Sequence, residues 1–244
     1  MGYSTKQMHS NTQLLNSGQI VKHELLPGCS NAAFLIDITA DTQNNHIKAV
    51  YKPKSGEKPL WDFTNGTLYK REYAAFLISN HLGWPTIPET VIREGPYGIG
   101  SVQLYIDHNP NITYFDLKSK DFHELKELAL FDVLVNNADR KAGHCILDKN
   151  KKLWSIDHGL CFHSHFKIRT VMLEFWGTEI DTSFIPKLKN LAHELSADSD
   201  LRYNLNNLIS EDEIVSMLSR INDLVSEGII PVLNPYHNIP WPLI

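Results

Sequence analysis

The sequence predicts an α+β fold in two lobes, with an antiparallel sheet and one helix over residues 1–107 and a mainly helical lobe over residues 108–244. In the first lobe, short strand-like segments are separated by turns rich in glycine, proline and asparagine. In the second, apolar side chains recur mostly at helical spacing. The polar, proline-containing segment 108–112 lies between the two patterns. We therefore expect the boundary between the lobes there.

The first lobe is predicted to contain five strands and one helix. Residues 1–16 are mostly polar and are interpreted as a lead-in to the fold. Phe34, Ile36 and Ile38 alternate with other residues, which indicates a strand with one buried face. Pro53 lacks a backbone N–H, so it is expected to end the third strand. The predicted strands are Gln19–Leu26, Ala32–Ala40, Ile47–Tyr51, Thr90–Glu94 and Ser101–Asp107, and the helix is Thr67–Leu82.

The second lobe is predicted to combine helices with one short hairpin. Leu128, Phe131 and Leu134 recur at helical spacing. Ser210 and Glu213 form a capping-box pattern that predicts the start of the last helix. The predicted helices are Glu124–Asn136, Ile185–Leu195, Asp198–Asn207 and Ser210–Glu227, the hairpin strands are Cys145–Leu147 and Leu153–Ile156, and residues 231–244 form an extended, proline-rich tail.

Composition excludes several classes of protein. The 244 residues carry a net charge of −5 and show no basic stripe, which argues against a general nucleic-acid-binding protein. No apolar run is long enough for a transmembrane helix, and the N-terminus lacks the apolar core of a signal peptide. The three cysteines, Cys29, Cys145 and Cys161, have no zinc-like spacing. We expect a cytoplasmic protein, and the sequence does not indicate its oligomeric state.

Two acidic residues flank the predicted hairpin. Asp139 lies in the polar loop before it, and Asp157 follows its second strand directly. Because a hairpin brings its two ends together, these carboxylates are expected to be neighbours. Neighbouring carboxylates repel each other unless a cation or a catalytic role uses them. The alternative is an ordinary helix and hairpin with surface acids.

The same stretch resembles the catalytic core of the phosphatidylinositol 3-/4-kinase-like superfamily, especially its small bacterial members and the type II phosphatidylinositol 4-kinase pattern. The resemblance rests on the Asp-Arg pair at 139–140, followed by a hairpin and by Ile-Asp-His-Gly-Leu-Cys-Phe at 156–162. It implies a two-lobed protein-kinase-like fold that binds ATP and Mg²⁺ or Mn²⁺ and transfers a phosphoryl group. Asp139 would orient or deprotonate the acceptor, and His144 and Asp157 would hold the metal.

His144 departs from the superfamily pattern, which usually has asparagine at this position. Imidazole nitrogen can bind a divalent metal, but Mg²⁺ prefers oxygen ligands. The departure therefore favours Mn²⁺ over Mg²⁺. The alternative is that His144 only donates a hydrogen bond within the loop.

The resemblance also assigns residues in the first lobe. Lys52, at the end of the third strand, would pair with the nucleotide phosphates, and Glu72 in the helix would hold Lys52 in position. Ser30 and Asn31 lie in the turn that corresponds to a phosphate loop. The alternatives are a solvated lysine, an exposed helix glutamate and a plain hairpin turn.

The order of elements places the connection between the lobes after the fifth strand. Its backbone groups would meet the adenine edge, at Gln103, Leu104, Tyr105 and Ile106.

The predicted function is an ATP- and metal-dependent phosphotransferase. Its acceptor is unknown, and a protein or small molecule is favoured over a lipid because the sequence has neither a basic juxtamembrane cluster nor an amphipathic membrane helix. A nucleotide-binding pseudokinase and nucleotidyl transfer remain open. A metal hydrolase built on His158, His163 and His165 is disfavoured because their spacing matches no known metal motif.

Overall fold

The computed structural model describes residues 5–40, 46–118 and 123–244, with side chains described from residue 11 onward. The chain separates into two compact units. One unit contains Met1–Phe76 and Pro88–Asp107, and the other contains Leu77–Ile87 and His108–Ile244.

The first unit is built on a five-stranded antiparallel sheet with the strand order β1-β2-β3-β5-β4. Its core includes Ile36, Ile38, Ala49 and Tyr51, which are fully buried. These residues alternate along β2 and β3, and the alternation of Ile36 and Ile38 is the one predicted for β2. The strands are β1 Gln19–Leu25, β2 Phe34–Thr39, β3 His46–Pro53, β4 Thr90–Gly95 and β5 Gly98–Leu104.

A helix, α1, spans Thr5–Ser17, so the polar lead-in predicted over residues 1–16 is helical from Thr5 onward. Leu14 and Leu15 are buried, and Leu15 belongs to the core cluster of the sheet. Arg93 of β4 donates hydrogen bonds to the carbonyl oxygens of Leu15 and Gly18, at 3.0 and 2.9 Å. Packing against the sheet therefore stabilises a helix whose own sequence is mostly polar.

Strand β3 extends past the predicted range Ile47–Tyr51 through Lys52 and ends at Pro53, the residue expected to end it. Pairing with β2 stops at Tyr51, but Lys52 and Pro53 still pair with Ser101 and Gly100 of β5. A Cβ atom at Gly100 would lie 2.4 Å from the carbonyl oxygen of Lys52. The missing side chain therefore allows β5 to approach the end of β3.

Helix α2 spans Leu68–Leu82, and the division between the two units falls within it, after Phe76. Arg71 is buried and lies over the ring of Phe63, 4.9 Å from its centroid. This cation–π contact attaches the loop before the helix to its first turns.

The second unit is mainly helical. Residues Leu128–Leu134 of α4 are all buried. The predicted capping box of α7 is present, since Ser210 and Glu213 cap each other, and Gly228 ends the helix in a left-handed conformation with φ 68°. The elements are α3 Tyr114–Leu117, α4 His123–Leu134, β6 Cys145–Leu147, β7 Leu153–Ser155, α5 Ile185–Ser196, α6 Asp200–Asn206 and α7 Glu211–Glu227.

The predicted α+β class is confirmed by the antiparallel sheet of the first unit and the helices of the second. The short helix α3 was not predicted. Across residues 5–40, 46–118 and 123–244, no helix combines the length and apolar character that crossing a membrane requires.

Candidate active site

In the first unit, Lys52 and Glu72 form an ion pair between Nζ and Oε1. The Glu72 side chain is 4% exposed and the Lys52 side chain 31%. Tyr51 and Pro53 face the buried side of β3, so the intervening Lys52 points the other way, where α2 supplies Glu72. A carboxylate this deeply buried is costly without a cation. The pair therefore fixes the lysine ammonium group at the end of β3.

The turn between β1 and β2 carries the predicted phosphate-binding residues Ser30 and Asn31. Ser30 is exposed. The Asn31 side-chain oxygen accepts a hydrogen bond of 2.8 Å from the backbone N–H of Lys58. Ala32 N–H donates to the carbonyl oxygen of Gly56 at 3.0 Å. Asn31 thus holds the turn against the 54–58 segment, and its binding of phosphate stays a prediction.

The backbone predicted to meet adenine is already partly used within the sheet. Leu104 N–H donates to the carbonyl oxygen of Glu89 at 2.8 Å, and Tyr105 N–H donates to that of Lys48 at 2.9 Å. The Gln103 side chain donates to Thr90 at 2.9 Å. These two backbone N–H groups are therefore already hydrogen-bonded within the first unit, and a nucleotide role for Gln103–Ile106 stays a prediction.

In the second unit, Arg140 is fully buried directly after Asp139. Its Nε and Nη2 donate to the two carboxylate oxygens of Asp132 in α4, at 2.8 and 2.9 Å. Burial by itself lowers the pKa of Arg140, but the charge and hydrogen bonds of Asp132 raise it above its ordinary value. Arg140 is therefore a charged residue held inside the protein by a bidentate ion pair.

Arg140 also connects the two ends of the hairpin. Its Nη1 donates to the carbonyl oxygen of Ile156 at 2.9 Å, and its Nη2 lies 2.9 Å from Nε2 of His158. A guanidinium group can only donate, so Nε2 of His158 accepts and the ring proton lies on Nδ1. Ile156 and His158 flank Asp157. One buried side chain thus contacts the residues on both sides of the second acid, through the Ile156 backbone and the His158 ring.

Asp139 is held by its neighbours in the loop. Its backbone N–H donates to the side-chain oxygen of Asn137 at 3.0 Å, and the Asn137 amide donates to Asp132 at 2.9 Å. Lys141 Nζ lies 3.3 Å from the Asp139 carboxylate. Burial raises the pKa of Asp139 to about 6, Lys141 opposes this rise, and the charge of Asp157 adds to it. The carboxyl group therefore titrates close to neutral pH, as a general base requires.

Asp157 has a left-handed backbone with φ 61°, which is uncommon for a residue other than glycine. Such strain persists only where the surroundings enforce it, and it is frequent at functional sites. The Asp157 side chain is 44% exposed, and its Oδ2 lies 3.2 Å from Nε2 of His144. The carboxylate is thus partly open to solvent on a backbone that is tightly defined.

His144 uses both ring nitrogens in the loop. Its Nδ1 accepts a hydrogen bond of 3.3 Å from the backbone N–H of Lys141. In the neutral ring the proton therefore lies on Nε2, which faces Asp157. Metal binding through Nε2 would require this proton to move. The metal-ligand role of His144 stays a prediction, and the observed geometry matches the hydrogen-bonding alternative.

No group of three or more histidine, cysteine, aspartate or glutamate side chains is arranged as a metal site in the part of the chain that the structure describes. Mg²⁺ usually retains waters and binds one or two carboxylates together with substrate phosphates. The partly exposed carboxylate of Asp157 fits such a site.

His163 and His165 contact the loop before Asp139 through their backbone carbonyl groups. Both carbonyl oxygens accept hydrogen bonds from the Asn136 side chain, at 2.8 and 2.7 Å. His163 Nδ1 accepts from the backbone N–H of His165 at 3.0 Å. These contacts attach the segment after Asp157 to the loop before Asp139.

Arg140 was singled out from the sequence only as part of the Asp-Arg pair, without a role, and the supporting residues Asp132 and Asn137 were missed. One signal was present, because Asp132 is the acid within the otherwise apolar stretch Leu128–Val135. A buried acid requires a partner.

The chain is similar in sequence to proteins from a bacterium and a plant. No family model matches it. It is 34% identical to Protein Rv2133c of Mycobacterium tuberculosis over 264 aligned residues, which cover 94% of each chain. It is 26% identical over 150 residues to Phosphatidylinositol 4-kinase gamma 4 of Oryza sativa, covering 54% of this chain but only 26% of that protein.

Among solved structures, the chain is similar to the Golgi casein kinase with Mn/ADP bound. The TM-score is 0.56 at 16% identity, with 96% of this chain and 81% of that chain covered. This similarity confirms the predicted two-lobed, protein-kinase-like fold. The chain belongs to the family of Protein Rv2133c.

Proposed function

We propose that the chain is an ATP- and divalent-metal-dependent phosphotransferase of the phosphatidylinositol 3-/4-kinase-like superfamily. The observation that carries this proposal is the ion pair between Lys52 and the buried Glu72. Phosphoryl transfer depends on positioning and charge neutralisation, and a lysine held by a helix glutamate supplies both toward nucleotide phosphates. The match to a phosphatidylinositol 4-kinase over 54% of the chain supports the superfamily.

We assign Asp139 the role of binding the acceptor hydroxyl group. Its pKa of about 6 leaves it mostly ionised at neutral pH, yet able to take up a proton. Asn137 and Arg140 fix the loop around it. Asp139 would therefore orient the acceptor hydroxyl and receive its proton.

We assign Asp157 as a ligand of the metal. The nucleotide phosphates would supply further ligands to the same ion. A bound Mg²⁺ or Mn²⁺ would neutralise charge on those phosphates. His144 orients Asp157 through their hydrogen bond and is a second candidate ligand. The similar fold of a kinase solved with Mn/ADP supports the choice of cofactors.

We further propose that the acceptor is a protein or a small molecule rather than a lipid. We also propose a cytoplasmic location, because all three cysteines are free thiols, as is usual in a reducing compartment. Cys145 and Cys161 are buried, and Cys29 is exposed.

The proposal is tested by incubating the protein with γ-labelled ATP and either Mg²⁺ or Mn²⁺ and following every labelled product. We expect label in phosphate or in a phosphorylated product, and none with Asp139→Asn. Lys52→Ala should weaken nucleotide binding in calorimetry while the circular dichroism spectrum stays unchanged. Equal nucleotide affinity in both proteins would contradict the proposal.

A second candidate is a nucleotide-binding pseudokinase, favoured by the engagement of both His144 ring nitrogens within the protein. It predicts nucleotide binding without turnover. Nucleotidyl transfer, the third reading, is separated by its product, because it releases pyrophosphate instead of ADP.

A further inference from the structure

Arg169 is fixed by its backbone against the loop that carries Asp139. Its N–H donates to the carbonyl oxygen of Asn137 at 3.0 Å, and its own carbonyl oxygen accepts from Arg140 N–H at 2.9 Å. The next residue, Thr170, forms a β-bridge with Arg140. Two backbone hydrogen bonds, one on each side of Asp139, therefore define where the Arg169 side chain begins.

The Arg169 side chain is partly buried and reaches the residue before Asp139. Its Nη1 lies 3.5 Å from the carbonyl oxygen of Ala138, at the outer limit of a hydrogen bond. Its charge lowers the pKa of Asp139 against the larger effect of burial. Yet Arg169 forms no ion pair with any residue in the described ranges.

The neighbouring side chains differ from Arg169 in this respect. Arg140 is paired with Asp132, Lys141 with Asp139, and His144 is hydrogen-bonded to Asp157. Asp139 already has Lys141 as its ion-pair partner. Arg169 thus adds a second positive charge near Asp139, and this charge forms no ion pair within the described residues. A guanidinium group presents a planar set of donors that fits phosphate or carboxylate.

We infer that Arg169 determines acceptor specificity by binding a phosphate or carboxylate group of the acceptor while Asp139 orients a hydroxyl group of the same molecule. The acceptor is thereby a hydroxyl compound that already carries a negative charge. The role of Asp139 in this inference rests on the proposed function, whereas the anion site rests on Arg169 itself.

The acceptor hydroxyl oxygen forms a bond to the γ-phosphorus of ATP. The bond from that phosphorus to the bridging oxygen breaks, and ADP leaves with the electron pair. The hydroxyl proton passes to Asp139. Arg169 takes no part in these bond changes and acts by holding the acceptor.

The test measures binding and needs no turnover. It uses Lys52→Ala protein, so that phosphate cannot be held by the lysine assigned to the nucleotide. Calorimetry compares glycerol 3-phosphate with glycerol. We expect binding of the phosphate ester only, weakened about tenfold by Arg169→Gln, which loses the charge-assisted hydrogen bonds. Arg169→Lys, which keeps the charge but loses the planar set of donors, should weaken it less.

Lys189→Gln is the matched control, because it removes one positive charge from an exposed position on α5. It should leave the affinity for glycerol 3-phosphate unchanged. Urea unfolding of each variant checks the fold, and glutamine at position 169 can still donate to the Ala138 carbonyl. Binding that is equally strong in Arg169→Gln and its parent overturns the inference. So does a parent that binds neither glycerol 3-phosphate nor vesicles containing phosphatidic acid.

A second arm identifies the source of the anion. Vesicles of phosphatidylcholine with and without phosphatidic acid are sedimented with each protein. Sedimentation that requires phosphatidic acid and Arg169, without binding of glycerol 3-phosphate, assigns the anion to a lipid headgroup. Binding of glycerol 3-phosphate assigns it to a soluble ester. The unsubstituted protein, which retains Lys52, is then incubated with labelled ATP. If binding of either anion depends on Arg169 but no label is transferred, the proposed function fails and the anion site stands.

Discussion

The ion pairs Lys52–Glu72 and Arg140–Asp132 use similar chemistry in different surroundings. Lys52 is partly exposed, and only its glutamate partner is buried. Arg140 and Asp132 are both fully buried and are joined by Asn137 and His158 in one network. The first pair presents a charge that a ligand can use, whereas the second holds the backbone around two acids. Removing a residue from each pair should therefore affect different properties.

The largest expected effect is on stability, from Arg140→Ala. It leaves Asp132 buried without its cation and should lower the free energy of unfolding by about 3–5 kcal/mol. Urea denaturation measures this. The control is Arg202→Ala, which breaks the pair with the more exposed Glu211 and should cost about 1 kcal/mol or less. Similar losses in both variants would contradict the structural role of Arg140.

The next effect concerns Asp139 and pH. Its pKa rises from 3.8 to about 6 on folding, so the folded state binds the proton more tightly. Without metal, stability should therefore fall as pH rises through this range, and the loss then stays constant. Asp139→Asn cannot ionise and should be more stable at pH 8 by about 3 kcal/mol, with little difference at pH 4.

Urea denaturation in EDTA at both pH values measures this difference. Asp198→Asn, at an exposed position, is the control and should show no such gain. A variant at position 139 that is no more stable at pH 8 would show that burial does not destabilise the carboxylate.

Lys52→Met should weaken nucleotide binding at least about tenfold and destabilise the protein by about 2 kcal/mol, because Glu72 then loses its ion pair with Lys52. Adding Glu72→Gln should recover stability without recovering binding. Calorimetry and urea denaturation separate the two effects, with the exposed Lys58→Met as control. Recovery of nucleotide binding in the double variant would show that Lys52 acts only as a partner for Glu72.

The smallest expected effect is that of His144→Asn, a few-fold change in metal preference. If His144 binds metal, asparagine supplies a neutral oxygen at every pH, which should favour Mg²⁺ over Mn²⁺ and flatten the acid limb of the activity profile. Activity assays with each metal across pH measure both. Unchanged preference and profile would assign His144 to the hydrogen bond with Asp157.

Local signals predicted much of the fold. The capping box at Ser210 and Glu213 marks the start of α7, and alternation of Phe34, Ile36 and Ile38 marks β2, because both patterns act between near neighbours in sequence. Helix α1 was missed because its stability depends on burying Leu15 against strands far along the chain. Pro53 ends β3 as expected, but Lys52 and Pro53 lay outside the predicted range because they pair only with β5.

The candidate site divides in the same way. The order of elements was enough to nominate Lys52 and Glu72, which the structure brings together. The supporting network was missed because Asp132 and Arg140 meet only when the loop folds back on α4. Arg169 was missed because strand-like pairing across 30 residues places it beside Asp139.

The left-handed backbone at Asp157 restricts how an inactive reference protein can be made. Asparagine adopts this conformation several times more often than most residues and keeps the shape of the side chain, but it carries no charge. Alanine lacks the polar side chain that favours this conformation, so any loss of activity in Asp157→Ala would combine a missing carboxylate with a displaced backbone. Asp157→Asn is therefore the variant in which lost activity reports on the carboxylate charge alone.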